Sequence, residues 1–177
     1  MSKVKLSNVR LSFPSLFEAT SFEGSKPSYK ATFILDKAKD AAAIATINKA
    51  IDAEITDKWK GKLKRANLKG VCLRDGAEKS DMDGYSDKVV FISSSSSKRP
   101  PVVDKDLSPL TETDGKPYAG CYVNATIELW AQDNNFGKRI NAQLRAVQFL
   151  RDGEPFGDKG ANPEEEFSKV EDTDNVL

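Results

Sequence analysis

The stretch CYVNATIELW, residues 121–130, fixes the secondary-structure period of the chain's C-terminal half. Cys121, Val123, Ala125, Ile127 and Leu129 fall on every second position, the pattern of a strand with one buried face. Its other face carries Tyr122, Asn124, Thr126, Glu128 and Trp130, so two large aromatics bracket a polar strip. After a turn at QDNNFGKR, the segment RINAQLRAVQFL repeats the alternation. Ile140, Ala142, Leu144 and Ala146 lie on one face, with Arg139, Asn141, Gln143 and Arg145 on the other. The two segments predict a hairpin whose polar faces lie side by side. The switch of the apolar set to Val147 and Phe149 predicts a bulge or register change near the middle of the second strand.

Upstream, VKLSNVRLSFPSLF (4–17) reads as a strand broken near Pro14. In GSKPSYKATFILD, Tyr29, Ala31, Phe33 and Leu35 share one strand face, opposite Lys30, Thr32 and Ile34. The period then changes. Ile44, Ile47, Ile51, Ile55 and Trp59 recur at spacings of three and four. They predict an amphipathic helix from about Ala41 to Lys58, with Asp40 as N-cap and an end near Gly61. Trp59 continues the isoleucine stripe and is assigned to the core, as are Phe33 and Phe91. VCLRDG and DKVVFISS are two short strands. Residues 93–120, rich in Ser, Pro, Asp and Gly, form a long loop. These elements predict an all-β barrel, or a β domain with one helical insertion.

Composition narrows the chemistry. The 177 residues suffice for one domain with tails, and no apolar run approaches the ~18 residues of a membrane span. The N-terminus lacks the continuous apolar stretch of a signal peptide. Cys72 and Cys121 read as buried free thiols of a reducing compartment. No histidine is present, which removes Ser–His–Asp and Cys–His machinery and the usual zinc sites. A metal-dependent nuclease could still use Asp81, Asp83 and Asp87. A turn-rich loop explains these acids better, since Asp-Gly and Ser-Asp pairs favour turns, and neither metal nor cofactor is expected.

The neutral net charge conceals an asymmetry. Residues 161–177 hold six acids and one lysine, a balance of −5, so residues 1–160 carry +5. KWKGKLKRANLKG (58–70) alone contributes six basic residues and no acid, either a solubilised helix end or a phosphate-facing patch. A small closed barrel is filled by its own core, so a ligand must lie on an outer face. On the hairpin that face offers Tyr122 and Trp130 for stacking, Arg139 and Arg145 for phosphates, and the amides of Asn124, Asn141 and Gln143. No basic recognition helix is apparent for a duplex groove, so single-stranded nucleic acid is the better-matched ligand. The competing explanation is that the aromatics are covered by the helix, the long loop or a second subunit.

The segments GCYVNATIELWAQDNNFGKRINAQLRAVQFLRDGEPFG and VRLSFPSLFEA, together with the acidic end, resemble a tailed-phage family of single-stranded DNA-binding proteins. The family was formerly a domain of unknown function, and this sequence looks like an enterobacterial phage member. The resemblance implies a five-stranded antiparallel barrel of the oligonucleotide/oligosaccharide-binding (OB) fold over residues 1–160, and a flexible acidic tail over 161–177. It implies sequence-independent binding of single-stranded DNA, without catalysis, during phage replication, recombination or repair in the cytoplasm of the infected bacterium. Further contacts are expected from Lys30, Tyr85, Lys88, Lys98, Arg99 and Tyr118. The tail, through Glu171, Asp172, Asp174, Val176 and Leu177, is expected to compete for the DNA groove and to recruit phage or host replication proteins. Many such proteins end in phenylalanine, and this one ends in leucine. The helix falls after the second strand, whereas an OB barrel more often places it after the third. The alternative to this reading is a β-rich phage assembly or protein-interaction protein that ignores DNA.

Overall fold

The computed structural model describes residues 1–21, 24–157 and 167–170. Among these residues there are eight strands: β1 (Ser2–Thr20), β2 (Ser28–Asp36), β3 (Gly70–Val71), β4 (Leu73–Asp75), β5 (Val89–Ser96), β6 (Val102–Val103), β7 (Tyr122–Asn134) and β8 (Gly137–Arg151). Among the described residues one α-helix, α1 (Ala41–Trp59), lies between β2 and β3. The ring β1–β2–β5–β8–β7 closes on itself. Four of its pairings are antiparallel, and the parallel contact of β5 with β8, at Ser95 and Gln143, completes the circuit. This is a five-stranded barrel with the strand order of an OB fold, as expected. The helix follows the second barrel strand, where the isoleucine spacing puts it.

Strand β1 serves two partners. Its first half pairs with β7 and its second with β2. Straight alternation cannot do both, and the buried positions slip twice, from Leu6 to Val9 and from Leu11 to Leu16. Each slip coincides with a residue of positive φ, Asn8 at 53° and Phe13 at 45°. The strand therefore passes through Pro14 with bulges instead of ending there. The expected change of register in β8 is also present. Thr126 faces Ala146 while Ile127 faces Leu144, which leaves Arg145 as the extra residue and turns Val147 and Phe149 inward.

Inside the barrel, Leu11, Phe33, Leu35, Ile127, Leu129 and Ile140 are fully buried, in one cluster with Ile47, Ile51 and Ile55 of α1. Truncating Ile51 to alanine would remove about 2–5 kcal/mol. Trp59 ends the same stripe, and its Nε1 donates to Asp133 Oδ2 at 3.0 Å. Asp40 occupies the N-cap position without capping the helix. Its carboxylate accepts from the Asp36 amide at 2.8 Å instead, while Asp36 takes the amides of Ala38 and Lys39. Between β4 and β5 the chain folds over the outside of the barrel. There Tyr85, Ile34 and Phe91 form a second small cluster. The long loop is partly structured, since β6 pairs with β8.

Both cysteines are buried and unpaired. Burial pushes the Cys72 thiol up to about 12 and the Cys121 thiol up to about 11. Thiolate is the reactive form, so iodoacetamide at about pH 8 is expected to leave the native protein unmodified and to label both cysteines once it is unfolded. Mass spectrometry reads the result.

Candidate nucleic-acid interface

The outer face of β2 and β5 is the floor of a groove of about 1020 Å³. Lys30 and Thr32 of β2 and Ser93 and Ser95 of β5 form that floor. Small hydroxylated side chains keep it low. One wall is β4 and the excursion that follows it, together with the second bulge of β1, and it presents Phe13, Arg74, Lys79 and Met82. The opposite wall is Lys69 and β3 with Trp130, Arg139 and Asn141 of the hairpin. A second depression of about 610 Å³, with Lys26 and Lys58 among its lining residues, adjoins the first at Ser95 and Trp130. Trp130 thus stands between two hollows.

The charges are arranged by packing. Lys69 donates its amide to Lys138 O at 2.9 Å, which docks β3 against β8, and its stem lies on Gly137. Arg139 crosses above Gly70, where a β-carbon would come within 2.6 Å of its Nη1. Glycine at 70 therefore lets the guanidinium lie along the groove wall. Asn141 pairs with Trp130 across the strands and donates to Gln132 Oε1 at 2.7 Å, which fixes the polar edge beside the indole. The groove carries five cations, Lys30, Lys69, Arg74, Lys79 and Arg139, against the single carboxylate of Glu78. Arg74 is neutralised by Glu78 at 3.0 Å. Among the described residues, no carboxylate forms an ion pair with Lys30, Lys69, Lys79 or Arg139. A cleft of one sign with low-dielectric walls concentrates polyanions.

Of the expected contact residues, Lys30, Trp130, Arg139 and Asn141 line this groove, and Gln143 lines the adjoining depression. The others lie elsewhere. Tyr122 sits eight residues from Trp130 on the same strand, ~26 Å away at strand spacing. Its ring is occupied by Arg151 at 3.7 Å and Arg10 at 5.6 Å. Asn124 accepts from the Asn8 amide at 2.9 Å, holding the first β1 bulge, and donates to Gln148. Arg145, the extra residue of the β8 bulge, pairs with Glu128 at 3.5 Å. Tyr85 is buried, with its hydroxyl on Ser12 at 2.9 Å, so it presents no free ring face. Burial raises its phenol above the usual range. Tyr118 donates to Asp152 at 2.7 Å and packs against the core. Lys88 lies beside Asp36, away from the groove, and Arg99 stacks on Phe17 at 5.7 Å. Lys98 follows β5 and does not line the groove. The tail residues Glu171, Asp172, Asp174, Val176 and Leu177 lie outside the described residues.

The sequence reading passed over Phe13, Arg74, Lys79 and Met82. The change of apolar parity from Leu11 and Phe13 to Leu16, around Pro14, marks an irregularity there but does not say that Phe13 faces outward. Lys69 lay within the basic run 58–70.

A closed barrel of OB strand order with a cationic, tryptophan-flanked groove on its outer face defines an oligonucleotide-binding class of protein. The chain belongs to the family described as Enterobacter phage Enc34, ssDNA-binding protein, whose model matches residues 2–177. That family is one of DNA-binding proteins, not of enzymes. The chain is 44% identical to "Putative protein p50" of Acyrthosiphon pisum secondary endosymbiont phage 1, over 95% of this chain and 94% of that one. Among solved structures it resembles the single-stranded DNA-binding protein of bacteriophage Enc34 in complex with ssDNA. There the TM-score is 0.79 and the identity 32%, covering 88% of this chain and 89% of that one. The fold extends to gp2.5, a single-stranded DNA-binding protein encoded by bacteriophage T7. That match has a TM-score of 0.57 and 12% identity, over 92% of this chain and 98% of that one.

Proposed function

We propose that this protein binds single-stranded DNA, without sequence preference, along the groove of β2, β5 and the hairpin. The observation that carries the reading is the groove itself: Lys30, Lys69, Lys79 and Arg139, none ion-paired with a carboxylate among the described residues, around an indole, in a member of this family. Bases stack on Trp130 and the cations neutralise phosphates. Stacking does not select one base over another, because a π-face is common to all four. The protein would coat and protect single strands during phage DNA replication, recombination or repair, in the cytoplasm of the infected bacterium. Titration of fluorescein-labelled oligothymidylate tests this. With four phosphate contacts the logarithm of affinity should fall with the logarithm of salt at a slope of about −3. A protein that leaves the oligonucleotide free at low salt is the assembly or interaction protein of the alternative reading.

The acidic tail regulates this groove and recruits replication partners. Its root is anchored behind the groove wall. Arg10 donates to Glu154 O at 2.7 Å and covers the Phe156 ring at 4.3 Å, and the Gly157 amide donates to Asp83 at 2.9 Å. Twenty residues follow Gly157. Extended, they span up to ~66 Å, enough to reach the groove. A tethered polyanion competes at an effective concentration in the millimolar range. Deleting residues 161–177 is expected to tighten oligothymidylate binding several-fold at low salt, with the difference shrinking as salt rises. Equal affinities at every salt concentration would remove the tail from the mechanism.

A further inference from the structure

Phe13 is held where a bulky residue is disfavoured. Its φ is 45°, in the left-handed region where a β-carbon meets the following carbonyl. The bulge buries Ser12 and swings Phe13 outward, leaving its side 51% exposed. The core gains little from it. The nearest ring, Tyr85, is tilted at 6.2 Å between centroids. Glycine would fit the backbone without strain and asparagine with less, so stability does not explain an aromatic here. The surroundings supply a use. Lys79 Nζ lies 5.2 Å from the ring centroid, and both residues line the groove wall opposite Trp130.

We infer that Phe13 is a second base-stacking platform, held in a strained conformation so that a base rests on its exposed face while Lys79 takes the adjoining phosphate. The inference rests on the groove reading above. In that arrangement the single strand crosses the serine floor between two aromatic walls. The backbone strain sets the direction of the ring, which a regular strand would turn toward the core.

Three replacements at this position separate stacking from folding. Phe13→Leu keeps apolar volume against Tyr85 and the Lys79 stem but lacks a flat face. Phe13→Gly relieves the backbone, and Phe13→Trp restores a platform. Thermal melting and oligothymidylate affinity are measured for each in the full chain, with Trp130→Phe alongside. The leucine and glycine variants should melt normally and bind about 5- to 150-fold more weakly, the range for one lost stack. Their salt slope should match that of the unaltered protein, since no phosphate contact is removed. The tryptophan variant should bind within about twofold of the unaltered protein. Unchanged affinity in the leucine and glycine variants, while the unaltered protein binds, overturns the role of Phe13 and leaves the groove intact. Failure of the unaltered protein to bind overturns both.

Discussion

Trp130→Ala should weaken oligothymidylate binding about 5- to 150-fold and abolish the quenching of tryptophan fluorescence by DNA. The affinity loss follows from about 1–3 kcal/mol per stacked base. The spectroscopic half follows from the placement of the two tryptophans. Trp59 is buried at the end of α1 with its Nε1 on Asp133, whereas Trp130 stands at the junction of two hollows. Only the second can be covered by a ligand, so Trp59→Phe should retain the quenching signal. Quenching that survives in Trp130→Ala and disappears in Trp59→Phe would place the ligand on the helix side of the barrel.

Arg139→Glu should have an effect of similar size by a different route. It removes one attraction and adds one repulsion, each about 1 kcal/mol at 4 Å in water and more beside a low-dielectric wall. The sum of at least ~2 kcal/mol corresponds to about 30-fold at low salt. Because one phosphate contact is lost, the salt slope should become shallower by about 0.7. Folding should persist, since the side chain lies over Gly70 on the surface while Ile140 beside it fills the core. Lys88→Glu is the matched control. Lys88 stands beside Asp36, away from the groove, and its reversal should leave affinity within about twofold. Equal losses for both would mean that net charge, not the groove, governs binding.

The contrast between these two residues marks what could be read from the sequence. Period-two alternation exposed the hairpin and even its bulge, because a barrel strand must bury every second side chain. Three- and four-residue spacing exposed α1. Both signals are local. Barrel closure is not, since it depends on one parallel contact between Ser95 and Gln143, residues with no sequence pattern in common. The groove wall was hidden for the same reason, as Lys79 and Met82 reach it only because residues 76–88 fold back over the barrel. Tyr122 illustrates the converse limit. Its position on the polar face was right, but Arg10, more than a hundred residues away, and Arg151 already cover its ring. Periodicity reports which face a side chain occupies and nothing about what else arrives there. Phe13 continues the alternation of Val9 and Leu11 in sequence, and only its positive φ turns it outward, which alternation does not report.

Photocrosslinking with an oligonucleotide containing 5-iododeoxyuridine tests the central claim most directly, since it reports which side chains lie against bases. Digestion and mass spectrometry should place the crosslinks at Trp130 and at Phe13, on opposite walls of one groove. Crosslinks confined to Tyr122 and Tyr118, at the far end of the hairpin, would contradict the account and move the path of the DNA off the β2–β5 face.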